Sequence, residues 1–140
     1  MEVKMKKILV VFMALILMVP SNIMVDAIPL EGSLTLEKTE PAVLYDGNID
    51  GGRITLELTN DTFLDESIDI TNISFHSAVS NLDENLQVAS ATISEANLII
   101  TLSYTGEELS ETVTDLSITL DKSELIGGSD ITVNNLIVKN

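Results

Sequence analysis

The chain has 140 residues, with 22 acidic and 7 basic side chains and therefore a net charge of −15. This charge excludes nucleic acid as a simple partner, because an acidic surface cannot release counterions from phosphates. The lack of cysteine excludes a disulfide scaffold, a thiolate zinc site, a lipoprotein anchor and a cysteine nucleophile. The length favours a single domain.

Residues 1–27 have the pattern of a secretory signal peptide. Three lysines form the basic segment, and residues 8–19 form an apolar run of about 12 residues that ends at Pro20. Val25 and Ala27 place small side chains at the −3 and −1 positions of a cut after Ala27. An uncleaved membrane anchor is the alternative, but a span needs about 20 apolar residues. The segment therefore predicts a secreted or cell-surface protein without a stable membrane span after cleavage.

Cleavage would leave residues 28–140 as one predicted domain. This part of the chain has 20 acidic and 4 basic side chains, a net charge of −16, and no Met, Cys or Trp. A domain of this size buries roughly 65% of its unfolded surface, which is enough for one core without disulfides.

Apolar and polar residues alternate with a period of two over most of this domain. The period is typical of strands with one buried and one solvent-facing side. The predicted inward positions are Leu34, Leu36, Ile54, Leu56, Leu58, Ile68, Ile70, Ile73, Phe75, Leu98, Ile100, Leu102, Tyr104, Leu116, Ile118, Leu120, Ile131, Val133, Leu136 and Val138. Helical spacing is not sustained over a useful length in any segment.

Turn-forming residues separate the predicted strands. Glycine, Asn and Asp dominate residues 46–52, and residues 94–97 predict a hairpin turn. Residues 122–126 predict one helical turn, with Asp121 as its cap and Gly127 at its end. About seven to nine short strands in one domain indicate an all-β protein. An antiparallel β-sandwich is the favoured architecture, and a partly open barrel is the alternative.

Four stretches resemble a family of immunoglobulin-like β-sandwich repeats found in bacterial surface and secreted proteins. They are Arg53-Ile54-Thr55-Leu56-Glu57-Leu58 with Asn60 and Phe63, then Leu98-Ile99-Ile100-Thr101-Leu102-Ser103-Tyr104-Thr105-Gly106, then Leu116-Ser117-Ile118-Thr119-Leu120, and finally Leu125-Ile126-Gly127-Gly128-Ser129-Asp130-Ile131-Thr132 with Asn134 and Leu136. The resemblance covers roughly residues 33–138. It implies an immunoglobulin-like sandwich of the kind that stands in tandem as spacers or adhesion modules, and it implies no catalytic residues.

Catalysis is not indicated by the remaining residues. His76 is the only histidine, lacks a glycine-flanked serine partner, and is expected to face solvent because it follows inward Phe75. A glycosidase would need paired carboxylates in a cleft with exposed aromatic side chains. The four aromatic residues of the domain fit core or turn positions, although Tyr45 or Tyr104 would allow weak carbohydrate binding. We therefore expect a protein that is not an enzyme.

One motif predicts a metal site. Residues 46–57 satisfy the D-x-[DN]-x-[DN]-G-x5-E pattern of calcium-binding loops. Asp46, Asn48, Asp50 and Glu57 would supply the oxygen ligands that Ca²⁺ prefers. The flanks are strand-like, so an acidic β-turn without metal is the other interpretation.

These observations favour a non-enzymatic interaction or structural module, adhesion-like or part of the envelope, that acts through loops or edge strands. Its partner would be another protein or a cell-envelope component, or a second copy bound through an edge strand. A calcium-dependent, carbohydrate-binding module is the alternative. Three further acidic clusters are predicted in loops, where they either only solubilise the protein or attract a basic partner: Asp65-Glu66 with Asp69, Asp83-Glu84, and Glu107-Glu108 with Glu111.

Overall fold

A computed structural model of the protein describes residues 30–140. The predicted signal segment, and with it the expected signal-peptide helix, lies outside the described residues. Within them the chain forms seven strands, the lower end of the predicted range of about seven to nine. They are β1 Ser33–Glu40, β2 Arg53–Thr59, β3 Ile73–His76, β4 Leu86–Ser94, β5 Asn97–Tyr104, β6 Val113–Leu120 and β7 Ile131–Val138.

The strands form two antiparallel sheets, which is the arrangement expected of a β-sandwich. One sheet has the order β1-β2-β5-β4 and the other has the order β3-β6-β7. The predicted hairpin is confirmed, since β4 and β5 pair across the two-residue turn at residues 95–96. Each sheet turns one side of its strands inward, and this places the alternating apolar residues in one cluster.

The core is built mainly from aliphatic side chains. Ile54 and Leu56 of β2 lie opposite Ile100 and Leu98 of β5, and all four are fully buried. The other sheet contributes a matching set from β6 and β7, namely Leu116, Ile118, Leu120, Ile131, Val133, Leu136 and Val138. Residues 31–140 form a single compact unit around this cluster.

The phase of alternation changes within β7 without loss of burial. Val133 and Leu136 are both buried although they are three residues apart. Asn135 between them has a φ of 62°, and the register with β6 shifts between Leu116 and Ile118. Asparagine tolerates this left-handed conformation better than most residues, so the local irregularity keeps both apolar side chains inside.

Two predicted inward positions are wrong. Ile70 does not continue a strand but begins a short 3-10 helix, Ile70–Asn72, and is 39% exposed. Leu36 is 46% exposed, because the register of β1 shifts after it at the edge of its sheet. These two errors arise where the pairing partner, rather than the local pattern, decides which side of the backbone is covered.

Short helical segments were predicted only in part. Lys122–Glu124 is a 3-10 helix, and the Asp121 carboxylate accepts the Ser123 N–H at 2.8 Å, as its predicted capping role requires. The α-helix α1, Ser80–Asn85, was not predicted, and it contains the cluster Asp83-Glu84 that was expected in a loop. It buries one apolar side chain, Leu82, so it shows no amphipathic period. Within residues 30–140, neither the length nor the hydropathy of any helix suffices to span a bilayer.

Candidate functional site

The predicted calcium loop connects β1 to β2 and closes one end of the sandwich. The Asp50 carboxylate accepts the Tyr104 backbone N–H at 3.0 Å, at the end of β5. The Asp46 carboxylate accepts the N–H groups of Gly47 at 2.7 Å and Leu109 at 3.3 Å. Both carboxylates therefore fasten this loop to the connection between β5 and β6.

The other two predicted ligands lie in different surroundings. Asn48 accepts the Tyr45 N–H at 2.9 Å and donates to the Val43 carbonyl at 3.0 Å, so its side chain shapes the loop itself. Glu57 lies within β2, opposite Thr35 of β1, and its side chain is exposed. Within residues 30–140 no three His, Cys, Asp or Glu side chains are grouped to hold a metal ion. The calcium site stays a prediction.

The connection between β1 and β2 also contributes apolar side chains to the core, although acidic and turn-forming residues dominate its composition. Ile49 is completely buried and Leu44 is 2% exposed, and both belong to the core cluster. Gly51 has a φ of 77°, a conformation that glycine adopts at little cost. The connection between β1 and β2 is thus also a turn that inserts two aliphatic side chains, Leu44 and Ile49, into the end of the sandwich.

Removal of the Asp50 carboxylate should weaken this closure. We expect Asp50→Ala to lower the free energy of unfolding by about 1 kcal/mol, because the Tyr104 N–H loses its partner. Urea denaturation measures the loss, and Asp50→Asn is the matched control, since its carbonyl oxygen can still accept the bond. Equal losses in both variants would mean that the charge, not the hydrogen bond, stabilises the loop.

The same variants separate the two interpretations of the motif. Calcium that binds only the folded protein raises its melting temperature. The calcium hypothesis predicts such a rise in the wild type relative to a chelator, and its loss in Asp46→Ala/Asp50→Ala. Identical melting curves of the wild type with calcium and with chelator would contradict the calcium hypothesis and favour the acidic turn without metal.

His76 and the tyrosines have surroundings that suit surface or packing roles. The side chain of His76 is 79% exposed and its Nδ1 lies 3.2 Å from the Asp83 carboxylate. Tyr104 packs partly against the core and donates its hydroxyl to the Glu107 carbonyl at 2.7 Å. Partial burial raises the pKa of Tyr104, and the charge of Asp46 raises it further. Tyr45 is 46% exposed.

Three connections meet at the opposite end of the sandwich, and we call them together the loop end: residues 60–72, 95–96 and 121–130. Leu64 donates its N–H to the Glu124 carbonyl at 2.9 Å, and Ile126 donates to Thr62 at 3.0 Å. The Asp61 carboxylate accepts the Gly127 N–H at 2.8 Å. These hydrogen bonds join the first connection, residues 60–72, to the third, residues 121–130.

The loop end exposes apolar side chains from this bonded backbone. Leu64 is 57% exposed, Ile126 is 65% exposed and Ile70 is 39% exposed, whereas the adjacent Phe63 is 8% exposed. Neither Leu64 nor Ile126 was predicted to take part in binding. The available signal was a pair of apolar residues followed by acidic or turn residues: Phe63-Leu64 before Asp65, and Leu125-Ile126 before Gly127.

A groove of about 610 Å³ opens at the loop end, and we call it the loop-end groove. Its apolar lining comes from Phe63, Leu64 and Ile93. Three carboxylates also line it, those of Asp65, Glu66 and Glu95, while the lining contains no Lys, Arg or His; the remaining lining residue is Thr62. The groove therefore combines apolar surface with a negative rim.

A second, smaller groove of about 300 Å³ lies between the residues after β1 and the end of β7. Exposed Leu36, Val43 and Ile137 contribute to its lining, with Lys139 as its one charged residue. Residues 45 and 139 form a parallel bridge beside it. The edge of β7 is therefore partly covered at this point.

Three aspartates that accept hydrogen bonds predict how stability depends on pH. The Thr71 N–H lowers the pKa of Asp69, the Ala78 N–H lowers that of Asp115, and the hydroxyl of Ser123 lowers that of Asp121. A carboxylate with a lowered pKa stabilises the fold above its unfolded value of 3.8, and this contribution disappears as the pH falls through the folded value.

We therefore expect the melting temperature to change little between about pH 7 and pH 5 and to fall steeply below about pH 4. Thermal melts across this range measure the profile. Asp115→Asn should melt lower at neutral pH and lose less on acidification than the wild type. A variant profile parallel to that of the wild type would contradict a contribution from Asp115.

Comparison of the chain with protein-family models, with curated proteins and with solved structures found no significant match.

Proposed function

We propose that this protein is a non-enzymatic interaction module, an immunoglobulin-like β-sandwich that binds a protein or envelope component through its loop end. One observation carries the proposal. The loop end exposes Leu64 and Ile126 from backbone that is hydrogen-bonded between two connections. Apolar side chains that are both exposed and held in place give a partner surface to bury at a small cost in ordering entropy.

The order of strands supports the immunoglobulin-like part of the proposal. If β1 to β7 are named A to G, the two sheets have the orders A-B-E-D and C-F-G. These are the orders of the constant-type immunoglobulin sandwich. The resemblance of four sequence stretches to surface-protein repeats supports the same assignment independently of the sheet order.

The loop end is a better binding surface than the opposite end. At the opposite end, Ile49 and Leu44 are buried and the carboxylates of Asp46 and Asp50 already accept backbone N–H groups. At the loop end, apolar and acidic residues line the same groove. Surface that is left unsatisfied by the protein itself is the surface that a partner can bury with a gain in free energy.

The proposal is tested by capture with the purified protein. Immobilised protein is incubated with envelope and culture-fluid extracts of the source cells, beside the double variant Leu64→Ser/Ile126→Ser. We expect a specific partner to be retained by the wild type and lost by the variant. Leu36→Ser/Ile137→Ser is the matched control, since it removes two exposed apolar side chains that line the second groove and do not belong to the loop end. Retention by the loop-end variant and loss by the control would overturn the loop-end assignment.

The proposed location at the cell surface has its own test. The full chain is expressed in a bacterial host with its N-terminal segment intact, and the mass of the protein in the medium and cell fractions is measured. Export with cleavage after Ala27 gives a mature protein that begins at Ile28. An unprocessed chain that stays inside the cells would contradict secretion.

A further inference from the structure

We propose that the loop-end groove binds an extended polypeptide segment in which Lys or Arg alternates with apolar side chains. This inference rests on the proposed function and names the chemistry of the partner. The groove is lined by the apolar residues Phe63, Leu64 and Ile93 and by three acidic residues. A cationic segment with apolar side chains is the chemistry that complements both.

The size and openness of the groove favour a segment of several residues over a small ion. Its volume of about 610 Å³ lies in the range of sites that hold ligands of drug-like size. The three carboxylates line the groove without converging, since no three acidic side chains within the described residues are grouped to hold a metal ion. A bare cation would therefore not be held by all three carboxylates at once, whereas a segment with several lysines can reach each of them.

The carboxylates are available to such a partner. Within residues 30–140 the two ion pairs are Lys38 with Glu40 and His76 with Asp83, so Asp65, Glu66 and Glu95 take part in neither. Their side chains also accept no hydrogen bond in this part of the chain. Attraction between them and a cationic segment would be lost as salt screens it.

The apolar part of the groove is held in position before a partner arrives. The Leu64 N–H donates to Glu124, and Phe63 pairs with Leu125 in an antiparallel bridge below the exposed leucine. Leu64 is 57% exposed on this fixed backbone. Burial of an exposed leucine on binding accounts for about tenfold in affinity.

The extended conformation of the partner is inferred from the strand beside the groove. Ile93 belongs to β4, an edge strand whose outer side pairs with no other described strand. β4 carries no charged residue from Leu86 to Ser94, whereas the edge strand β1 carries three. Charged residues on edge strands commonly prevent pairing with another chain, and β4 lacks them. An extended segment can thus lie along β4 with its side chains in the groove.

The test is a titration of ¹⁵N-labelled protein with short capped peptides, in which the amide chemical shifts of the protein are measured. The probe is a five-residue peptide of alternating lysine and leucine. One control peptide alternates lysine and serine, and another alternates glutamate and leucine. We expect the lysine–leucine peptide to shift the amides of Leu64, Glu66, Ile93 and Glu95, and to bind at least tenfold more tightly than either control.

Matched variants assign the two parts of the interaction. Leu64→Ser should weaken binding about tenfold, and Ile137→Ser, which removes an exposed apolar side chain outside the groove lining, should leave it unchanged. Glu66→Gln/Glu95→Gln should weaken binding and flatten its dependence on salt. Glu108→Gln/Glu111→Gln removes the same charge from the other end of the sandwich and should have little effect. The spectra of the free variants show whether each is folded.

The outcomes distinguish this inference from the function on which it rests. Equal binding of the lysine–leucine and lysine–serine peptides would overturn the apolar site, and equal binding of the glutamate–leucine peptide would overturn the charge complementarity. Absence of binding, with capture of a cellular partner still lost in the loop-end variant, would overturn the proposed peptide chemistry and leave the interaction function standing. Absence of both would overturn both.

Discussion

Ile100→Ala should lower the free energy of unfolding by about 3 to 4 kcal/mol. Ile100 is fully buried in β5, which lies between β2 and β4. Its partner residue is Ile54 on β2 and Ala91 on β4. Removal of three buried carbon atoms loses their transfer free energy and leaves a cavity in a sheet that is paired on both sides. Equilibrium denaturation in urea measures the loss, which is a large fraction of the stability of an ordinary domain.

The adjacent residue supplies the control. Ile99 is only partly buried on the other side of the same strand, so Ile99→Ala should cost about 1 kcal/mol or less. The same atoms are removed from the same strand, and only the side of the sheet differs. Equal losses from the two substitutions would contradict the inward and outward assignment on which the core depends.

The second large effect is expected at the loop end. Phe63→Ala should cost about 3 kcal/mol, because Phe63 is 8% exposed and joins the core cluster beneath the connection to β3. Leu64→Ser should change stability by no more than about 0.5 kcal/mol, because Leu64 is 57% exposed and its N–H still donates to Glu124. Urea denaturation of both variants measures this contrast between two consecutive apolar residues.

This contrast separates a residue that stabilises the fold from one that is available for binding. If Leu64→Ser lowered the free energy of unfolding as much as Phe63→Ala, Leu64 would be part of the core. A loss of binding by the Leu64→Ser variant would then reflect unfolding and not a lost contact with the partner. A stable Leu64→Ser protein makes its binding defect interpretable. The stability of both variants therefore has to be measured before any capture experiment with loop-end variants is interpreted.

The strand pattern was predictable because alternation in β2, β5 and β6 is governed by burial of one side. In these strands the predicted inward residues, such as Leu56, Ile100 and Ile118, are indeed buried. The sheet order was not predictable, since a period of two identifies a strand without its neighbours. The exposure of Leu36 follows from that order, because β1 is an edge strand with a shift in register.

The functional surface was harder to predict than the strands. The acidic motif of residues 46–57 drew attention because its spacing matches a known ligand pattern, yet spacing does not reveal that Asp50 accepts the N–H of Tyr104, 54 residues away. The loop-end groove is assembled from residues 62–66, Ile93 and Glu95, which are brought together only by the pairing of strands. Its acidic members were visible in the sequence, but their shared apolar groove was not.

The measurement that tests the central claim most directly is hydrogen–deuterium exchange of the protein alone and with its captured partner. It maps the interface without any substitution. We predict that the partner slows exchange at the amides of residues 60–72, 95–96 and 121–130, with protection extending along β4. Protection confined to β1 and β7, or to the calcium-motif loop at residues 46–57, would contradict a binding surface at the loop end.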